Sequence, residues 1–211
     1  MPHVFGHRDM ELLREVIESG NLCSLSGAMT PRFEAAFAQR LGVRHAIACN
    51  SAMSGLHVAL AAAGVGPGTE VIVDPIVHFA GFAVMYHNGV PIFADVDART
   101  HNIDPESIAT RVTPRTRAIV CTHLWGLPCE MDAVMEVARQ HNLVVVEDCA
   151  HALFARYRGR YTGTLGHIGV FSFQQSKHLA TGDGGMIVTN DDALHEAMRE
   201  GWRFSASAPR L

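Results

Sequence analysis

Lys177 closes the run Phe171-Ser172-Phe173-Gln174-Gln175-Ser176-Lys177, in which it is the only charge. A lysine held in apolar surroundings has its ammonium form disfavoured and becomes a better amine nucleophile. Taken alone, Lys177 reads as a surface lysine. The glycine-rich turn Thr181-Gly182-Asp183-Gly184-Gly185 comes after it, so the order is not that of a phosphate loop, where the glycines precede the lysine. Glu147 and Asp148 follow an apolar run at 143–146. That places them at the carboxyl edge of a sheet, where open α/β folds bind ligands. A carboxylate buried there needs a cation, either an arginine in a structural ion pair or the protonated ring nitrogen of a cofactor. A metal cluster of Asp148, Cys149 and His151 is a third reading, but no second ligand group at helical spacing supports it, and no metal site is expected.

Two further segments could bind a ligand. Asn50-Ser51-Ala52-Met53-Ser54-Gly55 follows one apolar run and opens another. Small residues at a helix start let backbone N–H groups approach an anion, and the helix dipole favours negative charge. A plain helix cap explains the same residues. Asp74-Pro75-Ile76-Val77-His78-Phe79 follows the run at 70–73, so an aromatic there could stack on a flat ring or simply pack in the core.

These residues need a frame that brings them together. Short apolar runs at 45–49, 70–73, 90–94, 118–122, 143–146, 170–173 and 186–189 lack apolar–polar alternation. Continuous runs of this kind predict strands buried on both faces of a mostly parallel sheet. Helical spacing lies between them, at 29–41, 55–63, 105–110 and 131–141. The alternation predicts an α/β fold, a sheet sandwiched by helices. A leading helix is expected over 10–20, and a charged helix from 192 to 203 that runs out in Ser205-Ala206-Ser207-Ala208-Pro209.

Composition narrows the classes. The chain has 211 residues, 48% hydrophobic and 18% charged, which is globular composition. Its formal net charge of −4, with no basic run, argues against nucleic acid or an anionic membrane as partner. No apolar stretch is long enough to span a bilayer, and no signal peptide is expected. Five cysteines without a C-x-x-C pair argue against a disulfide framework; Cys49, Cys121 and Cys149 adjoin apolar runs and read as buried thiols, which points to a reducing, cytoplasmic setting.

An anion-binding helix start, an aromatic, an Asp after a strand and a strand-end Ser followed by Lys occur here in one order. With Phe33-Glu34-Ala35-Ala36-Phe37, Gly64-Val65-Gly66-Pro67-Gly68-Thr69-Glu70-Val71-Ile72-Val73, Thr113-Pro114-Arg115-Thr116-Arg117-Ala118-Ile119, His123-Leu124-Trp125-Gly126-Leu127-Pro128 and Gly182-Asp183-Gly184-Gly185, the chain resembles the DegT/StrS family of sugar aminotransferases. That family is a branch of the aspartate-aminotransferase fold type, and the resemblance runs from about Leu12 to about Met198. It implies pyridoxal 5′-phosphate as cofactor, with Lys177 as the Schiff-base lysine and Asp148 as the partner of the pyridine nitrogen. His151 then contacts the ring hydroxyl, Ser172 binds phosphate, and Met53 and Ser54 supply the helix-start contacts.

The family's usual Gly-Thr is replaced by Ala52-Met53, which removes a hydroxyl that Ser54 could supply. The stretch from Pro75 to Pro91 is two residues shorter than the family pattern, which leaves His78 or Phe79 as the ring-stacking aromatic; counting from Pro75 favours Phe79. The implied activity moves an amino group from Glu or Gln to a keto-sugar or keto-cyclitol. The run Ser172-Phe173-Gln174-Gln175-Ser176-Lys177-His178 is similar to the cyclitol branch. The resemblance also implies a homodimer and a small C-terminal domain not contained in these residues. The expected division is an N-terminal helical segment at 1–20, a cofactor-binding large domain at 21–203 and a truncated tail at 204–211. The alternative is a non-catalytic remnant that binds cofactor or a partner without turnover.

Overall fold

The computed structural model describes residues 5–207. Seven strands form one sheet: β1 (His45–Cys49), β2 (Glu70–Val73), β3 (Val90–Phe93), β4 (Thr116–Thr122), β5 (Val144–Asp148), β8 (Ile168–Ser172) and β9 (Gly185–Thr189). Their spatial order is β1-β9-β8-β5-β4-β2-β3. The pairs β2–β3, β2–β4, β4–β5 and β5–β8 are parallel, and β9 alone runs antiparallel, between β8 and β1. The carboxyl ends of six strands therefore meet the amino end of β9 along one edge. A two-stranded hairpin, β6 (Arg156–Tyr157) with β7 (Arg160–Tyr161), lies outside this sheet.

Side-chain alternation along each strand divides the core into layers. Val71, Val73, Ala118, Val120, Val146, Ile168 and Val170 pack with Leu56, Ala59, Ala80 and Ala83 on one face. That face is covered by α3 (Ala52–Ala62), α4 (His78–Met85) and α7 (Asp192–Ser207). The intervening residues Ile72, Ile119 and Val145 pack on the opposite face against α5 (Pro105–Arg111) and α6 (Met131–His141). Phe171, Phe173, Met186 and Val188 continue that face under α2 (Met29–Leu41).

The helices start and stop where local chemistry dictates. Ser51 caps α3 by accepting the Ser54 N–H. Asp104 caps α5, with Pro105 in its first turn. Gly42 and Asn142, both left-handed, end α2 and α6.

Four elements differ from expectation. β3 is an edge strand with Val90 and Phe93 exposed, so it is not buried on both faces. α4 has no helical periodicity in its sequence because it is apolar on all sides. Ala80, Gly81, Ala83 and Val84 are buried, while Phe79, Phe82 and Met85 stay exposed. The leading helix α1 starts earlier than expected, at His7–Glu18, and buries no residue. α7 continues past Arg203 to Ser207, and 208–211 of the expected tail lie outside the described residues.

Candidate active site

A cavity of about 370 Å³ opens at the carboxyl edge of the sheet. Each wall comes from a different element. The α3 start contributes Ser51, Ala52 and Met53, and the α4 start contributes Val77 and Phe79. Thr122 comes from the end of β4, Asp148 and His151 from β5 and the turn after it, and Ser172 from β8. The loop after β8 adds Gln174, Ser176 and Lys177, and Asp183 follows.

Asp148 is the buried charge of the site. Its Oδ1 accepts the Ala150 N–H at 3.0 Å, and no ion pair reaches it among the described residues. Burial pushes its carboxyl above the usual aspartate range; the Asp74 charge acts in the same direction, while His123 and Lys177 act against it. The structural arginine considered from sequence is therefore not its partner. An uncompensated buried carboxylate of this kind is a receptor for a cation.

His151 carries a second unmet demand. Its Nδ1 is buried without a hydrogen-bond partner. Burial lowers its pKa, and the charges of Lys177 and His178 lower it further, so the ring favours its neutral form. A neutral imidazole offers one donor and one acceptor nitrogen. Lys177, partly buried on the same cavity, is the only lysine in the 211 residues. Its N–H bonds to Gln174 O at 2.8 Å, and Gln174 Oε1 accepts both the N–H (2.7 Å) and the hydroxyl (2.6 Å) of Ser176. The lysine thus sits on a hydrogen-bonded turn.

At the opposite end, Ser51 Oγ accepts the Ser54 N–H at 3.1 Å and lies 3.1 Å from Ser54 Oγ. Ser54 faces this cap and is not among the cavity-lining residues, whereas Met53 is. A Cβ at Gly185 would stand 2.5 Å from Ser51 C and 2.8 Å from Ala52 N, so only glycine lets β9 approach the α3 start this closely. Ser172, paired with Gly185 across the sheet, lies beside that start.

Of the two aromatics, Phe79 lines the cavity; His78 does not line it and packs against Phe79 and Phe82, with ring centroids 4.8 and 5.1 Å apart. Among the described residues, those with metal-ligand spacing are His123, Glu147 and Cys149, not Asp148, Cys149 and His151. Glu147 points to the face opposite Asp148, and its oxygens already accept from His123, Gly163, Leu165 and Gly166.

Sequence reasoning did not single out Thr122, Gln174, Ser176 or Asp183. Thr122 had a usable signal, since it ends β4 as Asp148 ends β5, and the two are register partners.

The sequence matches the DegT/DnrJ/EryC1/StrS aminotransferase family over residues 4–208. The chain belongs to this family. It is 49% identical over 174 residues to a GDP-perosamine synthase of Caulobacter vibrioides, covering 82% of this chain and 47% of that protein. It is 43% identical over 188 residues to an L-glutamine:2-deoxy-scyllo-inosose aminotransferase of Streptomyces lividus, covering 86% of this chain and 44% of that protein. The crystal structure of 3-amino-5-hydroxybenzoic acid synthase superposes with a TM-score of 0.93 at 34% identity, covering 99% of this chain and 55% of that one. The chain spans about half the length of the curated relatives it matches. The mostly parallel sheet flanked by helices is thus the fold of the aminotransferase family. Among the described residues no helix is long and apolar enough to cross a membrane.

Proposed function

We propose that this chain is the cofactor-binding part of a pyridoxal-phosphate aminotransferase that transfers an amino group from Glu or Gln to a keto-sugar or keto-cyclitol. The observation that carries the reading is one cavity holding the sole lysine, a buried carboxylate without an ion-pair partner and an imidazole nitrogen without a partner. The residues fit the group. Asp148 matches a protonated ring nitrogen, His151 a ring hydroxyl, and Phe79 a flat ring face. Ser172 and the first N–H groups of α3, at Ala52 and Met53, match a phosphate. Similarity to a sugar-forming and a cyclitol-aminating relative supports the acceptor class.

When bound, pyridoxal phosphate supplies an electron sink for the carbanion formed at an amino acid's Cα. The chain's own residues do the rest. Asp148 holds a proton on the ring nitrogen, which sets the depth of that sink. With the cofactor bound, the Lys177 amine would hold it and would carry the proton to and from Cα. Phe79, on the cavity wall, would present an apolar face to the ring. The exposed Phe79, Phe82, Met85 and Tyr86 around α4 support a homodimer.

The test is to load the purified chain with pyridoxal phosphate, reduce with borohydride and map the adduct by peptide mass spectrometry. A phosphopyridoxyl group on Lys177 is expected. A folded chain that carries none at Lys177 would overturn the reading.

A further inference from the structure

Asp74 follows β2, is buried and does not line the cavity, yet two of its three hydrogen bonds lead into the cavity wall. Its Oδ1 accepts the N–H groups of Ile76 (2.9 Å) and Val77 (2.7 Å), and its Oδ2 accepts the Thr122 hydroxyl at 2.8 Å. Val77 lines the cavity and directly precedes α4, whose second residue is Phe79. Thr122 also lines the cavity and is the register partner of Asp148.

The polarity of these bonds matters. An ionised carboxylate can only accept, so the Thr122 proton points at Asp74. The Thr122 oxygen is then left to present lone pairs to the cavity, next to the Asp148 carboxylate. Two adjacent acceptors suit one positively charged donor better than an acceptor beside a donor would. The negative charge of Asp74 adds to this, since it also disfavours a second anion at Asp148 and so favours a cation there.

We propose that Asp74 is a positioning residue that fixes the Thr122 hydroxyl as an acceptor beside Asp148, for a protonated ring nitrogen, and sets the start of the helix carrying Phe79. This rests on the cofactor reading above. Asp74→Asn separates its two tasks. The Asn oxygen can keep the turn at Ile76 and Val77, but its NH₂ would face Thr122 and force the hydroxyl to point its proton elsewhere.

The experiment uses the full chain. Lys177 labelling of the wild type comes first; a wild type that takes no label sinks the cofactor reading and this proposal with it. With the label in place, pyridoxal-phosphate affinity and the pH titration of the bound cofactor's absorbance are measured for Asp74→Asn, Thr122→Val, the double variant and Thr122→Ser. The expected result is about tenfold weaker binding for Asp74→Asn and for Thr122→Val, the effect of one misdirected hydrogen bond. Each also moves the absorbance change to lower pH, because a ring nitrogen with fewer acceptors loses its proton sooner. The double variant is no worse than either single, and Thr122→Ser restores binding. The proposal is overturned if Asp74→Asn binds and titrates as the wild type does, or if the two losses multiply. Should Asp74→Asn fail to fold, wild-type affinity in Thr122→Val would overturn it equally.

Discussion

His123 Nε2 lies 2.9 Å from Glu147 Oε2, with both side chains fully buried. The Cys129 N–H donates to His123 Nδ1 at 3.1 Å, so the ring hydrogen is left on Nε2, aimed at the carboxylate. Glu147 also takes the N–H groups of Gly163, Leu165 and Gly166 at 2.8, 2.7 and 2.6 Å. One side chain thereby joins the end of β4, β5 and the loop leading into β8. Removing it leaves four donors without that partner, two of them fully buried. Glu147→Ala should cost about 3–5 kcal/mol, and Glu147→Gln about 1–3 kcal/mol, because its NH₂ faces donors. Urea unfolding of the cofactor-free chain measures both. Losses below 1 kcal/mol would mean that the loop is held by something else.

Asp148 should cost stability while the site holds no cation. Its folded pKa is raised above the ordinary 3.8 by burial, so the native state binds a proton more tightly than the unfolded chain does. Its contribution is fully present below the ordinary value and is lost as pH rises through the raised one. Asp148→Asn is therefore expected to stabilise the cofactor-free chain at neutral pH while weakening cofactor retention. Paired melting curves at pH 4 and pH 7, with and without pyridoxal phosphate, test the sign. A destabilised cofactor-free Asn variant at pH 7 would show that Asp148 already has a partner.

Much of this was legible in the residues. The runs at 45–49 and 70–73 became strands with those bounds, and the spacings at 29–41 and 131–141 became helices with those bounds. A continuous apolar run marks a strand buried on both faces, and 3.6-residue spacing marks a helix with one dry face. α4 escaped because a helix that is apolar all round carries no period. The site was legible where a residue type is rare, as with Lys177, or where a charge ends an apolar run, as with Asp148. Thr122 and Asp74 were not legible as a pair, because 48 positions separate residues that only the β2–β4 neighbourhood brings together.

Gly185→Ala should act on the phosphate end of the cavity. The added Cβ would meet main-chain atoms of Ser51 and Ala52 at 2.5–2.8 Å, and main chain cannot swing aside as a side-chain tip can. β9 and the α3 start must separate, at a cost of about 1–3 kcal/mol. Cofactor affinity should fall as well, because the N–H groups of Ala52 and Met53 move with the helix start. Isothermal titration with pyridoxal phosphate and with pyridoxal lacking phosphate separates the two effects. The variant should lose more affinity for the phosphorylated form, and an equal loss for both would place the damage elsewhere.

His151 gives the chain an acid-sensitive element. Its folded pKa lies below the ordinary 6.5, chiefly through burial. Below pH 6.5 the unfolded chain takes up a proton that the native site resists, so this residue's contribution is present above 6.5 and is lost as pH falls through the depressed folded value. In the cofactor-free protein, His151→Gln should lose less stability than the wild type between pH 7 and pH 5. A stability difference that does not change with pH would show that the ring titrates normally.

The last prediction concerns which aromatic covers the ring. Phe79 forms part of the cavity wall, whereas His78 turns toward Phe79 and Phe82. Both residues are solvent-exposed at the start of α4, so truncating either should change stability by only about 1 kcal/mol. Their effects on the site should differ. Phe79→Ala removes the flat apolar face and should weaken pyridoxal-phosphate binding about tenfold, in line with the area such a ring buries. His78→Ala should leave affinity within about twofold, because its contacts within α4 hold only the position of Phe79. Fluorescence titration of the two variants side by side decides the matter. A larger loss in His78→Ala would make the imidazole the stacking ring and Phe79 its support.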